Sequence, residues 1–151
     1  MASDVCASAT SQLTIDLGAV RANYRALAER AAPAVCGAVI KADAYGLGAR
    51  RVAAALYREG CRSFFVAQLC EALKLAGTAG AECTIYVLNG LDPGCEEQCA
   101  THRFIPVLNS ASQVDRWRSL ARAKGTPLAA ALQVDSGMSR LGLSPQATAA
   151  L

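Results

Sequence analysis

Phe104-Ile105-Pro106-Val107-Leu108, running on into Asn109-Ser110-Ala111-Ser112-Gln113-Val114, reads as a strand handing over to a helix. The first five residues carry no charge and no polar alternation, so the strand is expected to be covered on both faces. Ser110-x-x-Gln113 has the capping-box pattern, in which a hydroxyl and an amide side chain satisfy the free N–H groups of a helix start. The helix that follows turns Val114, Trp117, Leu120 and Ala121 inward and stops at Gly125, where a left-handed residue ends the run.

The same unit recurs on either side. Ala34–Ile40 (AVCGAVI) leads to a helix over Gly48–Glu59, with Val52, Ala55 and Leu56 on one face. Ser63–Ala67 (SFFVA) leads to a helix over Leu69–Ala79. Cys83–Leu88 (CTIYVL) leads to Asp92-Pro93, read as an N-cap and a proline at the first helical position, with Glu96 and Glu97 at the positive helix end. Leu128–Val134 (LAAALQV) is the fifth strand, and Ser144-Pro145 opens another helix. Ahead of these units, Leu13–Ile15 reads as a lone strand, and Asp16 caps a helix carrying Val20, Tyr24 and Leu27.

Apolar strands alternating with helices mean a parallel sheet covered by helices. Periodicity fits a doubly wound sheet and a (β/α) barrel equally well. A complete eight-stranded barrel needs about 250 residues, and this chain has 151. Five strands of that type would leave a barrel unfinished, and the doubly wound sheet stays open on this reading.

Composition narrows the function classes. The chain is 53% hydrophobic, with 15 basic and 12 acidic residues and a net charge of +3. That charge is small and dispersed, so neither nucleic acid nor an anionic membrane is the expected partner. The longest nearly apolar run, Ala31–Ile40, contains Pro33 and Gly37 and is too short to span a bilayer. Residues 1–12 read as a flexible N-terminus without the basic and apolar segments of a secretory signal. The seven cysteines are odd in number and none are paired as CxxC. Cys36, Cys61 and Cys83 sit in or beside apolar segments as small hydrophobes, so reduced thiols and a cytoplasmic location are expected. Cys95 and Cys99, one helical turn apart, leave only a weak metal or redox reading, and zinc spacing is lacking.

Two stretches carry chemistry. In Lys41-Ala42-Asp43-Ala44-Tyr45-Gly46-Leu47-Gly48, a lysine stands at the carboxyl end of an apolar strand, where parallel α/β folds build their sites. Partial desolvation there would make the amine nucleophilic towards a carbonyl. Tyr45 adds a hydroxyl, and the glycines let backbone approach a phosphate before a helix start. The plainer alternative is a lysine snorkelling from the sheet edge above a glycine turn. In Asp135-Ser136-Gly137-Met138-Ser139-Arg140-Leu141-Gly142, on the same sheet face, Arg140 could bind an anionic oxygen. His102 falls at a helix end, where it complements the helix dipole, and Trp117 is core by its spacing.

KADAYGLG followed by DSGMSRLG resembles the alanine racemases, fold-type III pyridoxal phosphate enzymes. The similarity runs from Thr14-Ile15-Asp16-Leu17 through Phe65-Val66-Ala67, Val87-Leu88-Asn89-Gly90 and Pro106-Val107-Leu108-Asn109 to Arg140-Leu141-Gly142. The resemblance implies a (β/α)8 barrel followed by a β-domain, of which residues 13–151 match only the N-terminal part, with one leading strand and helix. It implies pyridoxal 5'-phosphate held by Lys41 as a Schiff base, with Lys41 as one catalytic base. Tyr45 would reach the cofactor phosphate, and Arg140 the ring phenolate and the substrate carboxylate. The activity implied is interconversion of L- and D-alanine, supplying D-alanine for peptidoglycan. A homodimer is implied, in which the partner's C-terminal domain supplies the second catalytic tyrosine.

Some of the family pattern is absent here. The second tyrosine, an arginine at the pyridine nitrogen and most of the phosphate loop have no match, and Tyr24, Tyr57 and Tyr86 fall in no matching motif. Tyr57 reads as a helix-surface residue and Tyr86 as strand packing. Leu47 replaces a frequent histidine. Gln133 replaces a lysine that is carbamylated in many members, and its amide could hydrogen-bond Arg140. The expectation is a chain inactive by itself. The alternatives are a racemase of serine or another small amino acid, and a pyridoxal phosphate-binding protein without activity.

Overall fold

The computed structural model describes residues 10–78, 80 and 82–151. The flexible start expected over residues 1–12, and Cys6 with it, therefore lies outside the described residues up to Ala9. Leu13–Ile15 is not a strand: no described strand pairs with it, and Leu13 and Ile15 are exposed. An alternating apolar triplet has no ladder to join there, so side-chain pattern alone cannot make it a strand.

Asp16 caps α1 (Leu17–Ala31), its Oδ1 accepting the Gly18 and Ala19 amides at 2.7 and 3.1 Å. Val20 and Tyr24 pack against the core, while Leu27 faces solvent instead of joining them. The elements that follow are β1 (Ala38–Val39), a short left-handed turn designated α2 (Lys41–Tyr45), α3 (Ala49–Arg58), β2 (Ser63–Val66), α4 (Leu69–Leu75) and β3 (Thr84–Val87). After them come α5 (Glu96–Thr101), β4 (Ile105–Leu108), α6 (Ala111–Lys124), β5 (Ala131–Leu132) and α7 (Pro145–Ala149).

All five strands are parallel and lie in the order β1-β2-β3-β4-β5. That order resolves what periodicity left open. Right-handed crossovers between sequential neighbours put every connecting helix on the same face, as in a barrel wall. A doubly wound sheet reverses its strand order and carries helices on both faces.

The helix face is the core. Phe64, Val66, Ile85, Val87 and Leu108 meet Val52, Leu56, Ala72, Leu75, Val114 and Trp117 there, all buried. Phe64 and Val66 are fully covered, each worth about 1.5–3 kcal/mol by burial. On the opposite face Phe65 stacks on Tyr86 with ring centroids 4.7 Å apart, and Val39 and Leu132, at the two ends of the sheet, are each 47% exposed. The strands themselves are shorter than their apolar runs, most of all Ala34–Ile40 and Leu128–Val134, which keep only Ala38–Val39 and Ala131–Leu132 as strand.

Two helix starts differ from expectation. Asp92-Pro93 does not cap α5. Gly94, at φ +89°, makes a turn instead, and the helix begins at Glu96 with Cys95 as its N-cap. Glu96 then reaches back to the Gly94 amide at 2.8 Å. Ser110 does accept the Gln113 amide, but Gln113 Oε1 takes the Asn109 amide at 2.7 Å, not that of Ser110. In α6, Val114 and Trp117 are buried, whereas Leu120 and Ala121 are half-buried; Gly125 ends the helix at φ +62° as expected.

Candidate active site

Lys41 leaves β1 at the carboxyl end, and Arg140 follows β5 at the same end of the sheet. They stand at opposite lateral edges. Four strand spacings of about 4.8 Å separate the two strands along the sheet, and the depression beside Arg140 is bounded by Asp135, Ser139, Leu141 and Gly142. The sheet brings the two to one rim without bringing them into contact.

The backbone after Lys41 is unusual. Ala42, Asp43, Ala44 and Tyr45 have φ between 51° and 56°, a left-handed turn made of residues other than glycine. Each such residue costs on the order of 1–2 kcal/mol. Strain of this kind collects at sites where geometry serves a function. Four groups hold it. Ala44 N–H donates to the Ile40 carbonyl at 2.9 Å, and Ala44 is itself buried. Gly46 N–H donates to Ala42 O at 3.0 Å. Asp43 Oδ1 accepts the Ala49 amide at 2.7 Å, and Glu71 Oε1 accepts the Ala42 amide at 2.7 Å.

Lys41 is half-buried, and Tyr45 is 64% exposed on the rim. Neither Lys41 nor Arg140 is in an ion pair among the described residues. A free amine on a strained turn and an uncommitted guanidinium suit a carbonyl compound bearing anionic oxygens, which pyridoxal phosphate is. Behind the turn, on the helix side of the sheet, lies a separate cavity of about 480 Å³ bounded by Ile40, Asp43, Arg50, Glu71, Lys74 and Leu75.

The Arg140 loop is built on Asp135. Its Oδ1 accepts the Gly137 amide at 3.0 Å and the Ser139 amide at 2.9 Å. Those amides hold the carboxyl below its ordinary range. The loop closes where Asp135 N–H donates to Leu143 O and Leu143 N–H to Gln133 O, each at 2.8 Å. Gln133 does not bond Arg140: its Nε2 donates to the Leu141 carbonyl at 3.3 Å. The amide is used within the loop, so it braces the backbone and not the guanidinium.

The other candidates have structural roles. His102 is the C-cap of α5, its Nδ1 2.9 Å from Gln98 O, and it stacks on Phe104. Tyr57 donates to Glu82 at 2.6 Å beneath the Arg62 guanidinium. Cys61 and Cys99 are buried, and Cys36 and Cys83 half-buried. Cys99 donates to Phe104 O at 3.5 Å, and burial pushes its thiol up to about 12. Sequence reading missed Glu71 as a site residue, although Gln68-x-x-Glu71 is a legible capping pair.

Residues 15–151 match the family described as alanine racemase, N-terminal domain. The alanine racemase of Brucella ovis is 58% identical over 132 residues, which is 87% of this chain and 33% of that protein. The crystal structure of alanine racemase from Bartonella henselae with covalently bound pyridoxal phosphate superimposes with a TM-score of 0.88 at 47% identity, covering 91% of this chain and 40% of that one. Histidine racemase from Leuconostoc mesenteroides superimposes with a TM-score of 0.79 at 26% identity, over 89% of this chain and 36% of that one. The chain thus spans about a third of the length of the relatives it matches, and its five strands are part of a (β/α) barrel wall. By the match over nearly its whole described length, the chain belongs to the alanine racemase N-terminal domain family.

Proposed function

We propose that residues 13–151 form the cofactor-binding, amino-terminal part of an alanine racemase barrel, with Lys41 as the residue that holds pyridoxal phosphate. The observation that carries this reading is the unpaired lysine set on a strained left-handed turn at the carboxyl rim of the sheet. When bound, pyridoxal phosphate withdraws electrons from an amino-acid substrate and makes its α-proton acidic. Lys41 Nζ would hold the cofactor and would carry the α-proton on one face of the substrate. Tyr45 presents its hydroxyl to the phosphate. Arg140 would bind an anionic oxygen of the cofactor and the substrate carboxylate, its loop fixed by the Asp135 hydrogen bonds.

Racemisation needs a second base on the opposite face. We assign it to a residue beyond these 151, contributed across a homodimer as the family resemblance implies, so the 151 residues alone are expected to be inactive. The six described cysteines are all free thiols, which fits the cytoplasm, and the product D-alanine fits peptidoglycan supply. A second substrate reading also has support. Histidine racemase shares this portion of the fold, so specificity for serine or another amino acid would be set largely outside it.

The test is cofactor trapping. Pyridoxal phosphate is added to the purified chain, the adduct is reduced with borohydride, and the modified residue is mapped by peptide mass. Labelling at Lys41, lost in Lys41→Ala, supports the reading. Labelling spread evenly over Lys41, Lys74 and Lys124 overturns it for this chain.

A further inference from the structure

We propose that Glu71 is a positioning residue for Lys41, tying the exits of β1 and β2 into one unit; this rests on the assignment of Lys41 above. Glu71 is the third residue of α4 and completes a capping box with Gln68. Capping occupies one carboxylate oxygen, for Oε2 accepts the Gln68 amide at 3.1 Å and the Ala67 amide at 2.7 Å. The other oxygen is not used in capping. Oε1 accepts the amide of Ala42, 29 residues earlier, at 2.7 Å.

That second bond falls where the ladder stops. Ile40 N–H donates to Phe65 O at 2.8 Å as the last β1 to β2 bond, and the chain then enters the left-handed turn. Ala42 N–H is the first backbone donor after Lys41, and its acceptor stands on a helix packed into the core through Leu69, Ala72 and Leu75. A charged acceptor gives a stronger and more directional bond than a neutral one. The Lys41 Cα is therefore held between a ladder bond on one side and the Glu71 bond on the other. Small displacements of a reacting group cost rate steeply, so this bond decides how well Nζ is presented.

Glutamine separates the two duties. Its single acceptor oxygen can cap α4 or hold Ala42, and its NH2 group would face an N–H donor. Aspartate keeps the charge and the cap but is one methylene short of spanning both amides. The test compares the wild-type chain with Glu71→Gln, Glu71→Asp and Lys41→Ala. Pyridoxal phosphate is trapped with borohydride, and Lys41 labelling is divided by Lys124 labelling on the same molecule. Induced circular dichroism of the visible band is recorded in parallel, because it appears only when the chromophore is held in one orientation. Melting and Trp117 emission report the fold away from the site.

Both Glu71 variants are expected to lower the ratio about tenfold or more and to lose the induced signal, with the fold readouts kept. Wild-type ratios and signal in Glu71→Gln overturn the inference while leaving Lys41 as the cofactor residue. No preference for Lys41 in the wild-type chain overturns the cofactor assignment and this inference together. Amide exchange provides a check without any variant: an Ala42 N–H exchanging at the rate of an unstructured peptide also overturns it.

Discussion

Asp43 caps a helix that begins six residues after it: its Oδ1 accepts the Ala49 amide at 2.7 Å. The N-cap proper, Gly48, has no side chain to offer. One carboxylate thus starts α3 and closes the loop that carries Lys41. Asp43→Ala is expected to cost about 0.5–2 kcal/mol, the range for a lost cap, read as a lower urea midpoint. Loosening should be greatest between Lys41 and Gly48, measured by amide exchange. Unchanged exchange there would sink the assignment.

Asn109 links the ends of two strands. Its Nδ2 donates to Leu88 O at 2.9 Å and to Val107 O at 2.8 Å, and the residue is buried. Asn109→Ala leaves those acceptors without their donor and should destabilise by about 1–3 kcal/mol. Chemical denaturation followed at Trp117 measures it, and a shift within error of zero would contradict the account.

Gly142 is required by both space and dihedral. It sits at φ +109°, and a Cβ there would lie 2.8 Å from the Asp135 amide nitrogen, which cannot swing aside as a side chain could. Gly142→Ala should cost about 1–3 kcal/mol and open the Val134–Leu143 bridge that anchors the Arg140 loop. Faster proteolysis within residues 135–143 would register the opening.

Acid should loosen α1. Arg25 reaches Glu59 Oε2 at 2.7 Å, and Arg21 bonds the other oxygen. Hydrogen bonds from Arg25 and then Arg21 hold the Glu59 carboxyl below its ordinary range. The folded state therefore favours the ionised form. Its contribution is fully present above the unfolded carboxyl pKa and is lost as pH falls through the lower folded value. Melting temperature should drop on acidification less steeply in Glu59→Gln than in the wild-type chain. Parallel pH profiles would refute the linkage.

Thiol reactivity should divide sharply. Cys70 is exposed, whereas Cys99 is buried with its thiol pushed up to about 12. Thiolate is the reactive form, so at about pH 8 an alkylating reagent should mark Cys70 and leave Cys99 untouched until denaturant is added. Peptide mapping reads the order directly.

The strand centres were legible because these parallel strands carry apolar residues on both faces, as in Phe104–Leu108, although in β2 and β3 only the helix face is closed over. Their lengths were not, since hydrogen bonding ends before hydrophobicity does, as Ala34–Gly37 shows. Asp92-Pro93 misled because Gly94 takes a left-handed φ that starts a turn two residues before the helix. Lys41 and Arg140 could be placed on one rim from strand polarity alone. The left-handed path of Ala42–Tyr45 could not, because Ala and Tyr carry no signal for positive φ and a single Asp, although it tolerates that region, does not mark a run of four. Glu71 was half visible: its capping partner is three residues away, but Ala42 is 29 residues away and no local pattern encodes it.

The strand order has a consequence for how this chain is made. Every strand pairs with the one before it, and the widest pairing, Ala38 with Phe64, spans 26 residues. Loop-closure entropy is therefore small at each step, and contact order is low for a sheet protein. As synthesis proceeds from the N-terminus, each new strand emerges beside a neighbour already exposed. The wall can zip up on the ribosome in the direction of translation, with the Lys41 turn in place before the Arg140 loop has been synthesised.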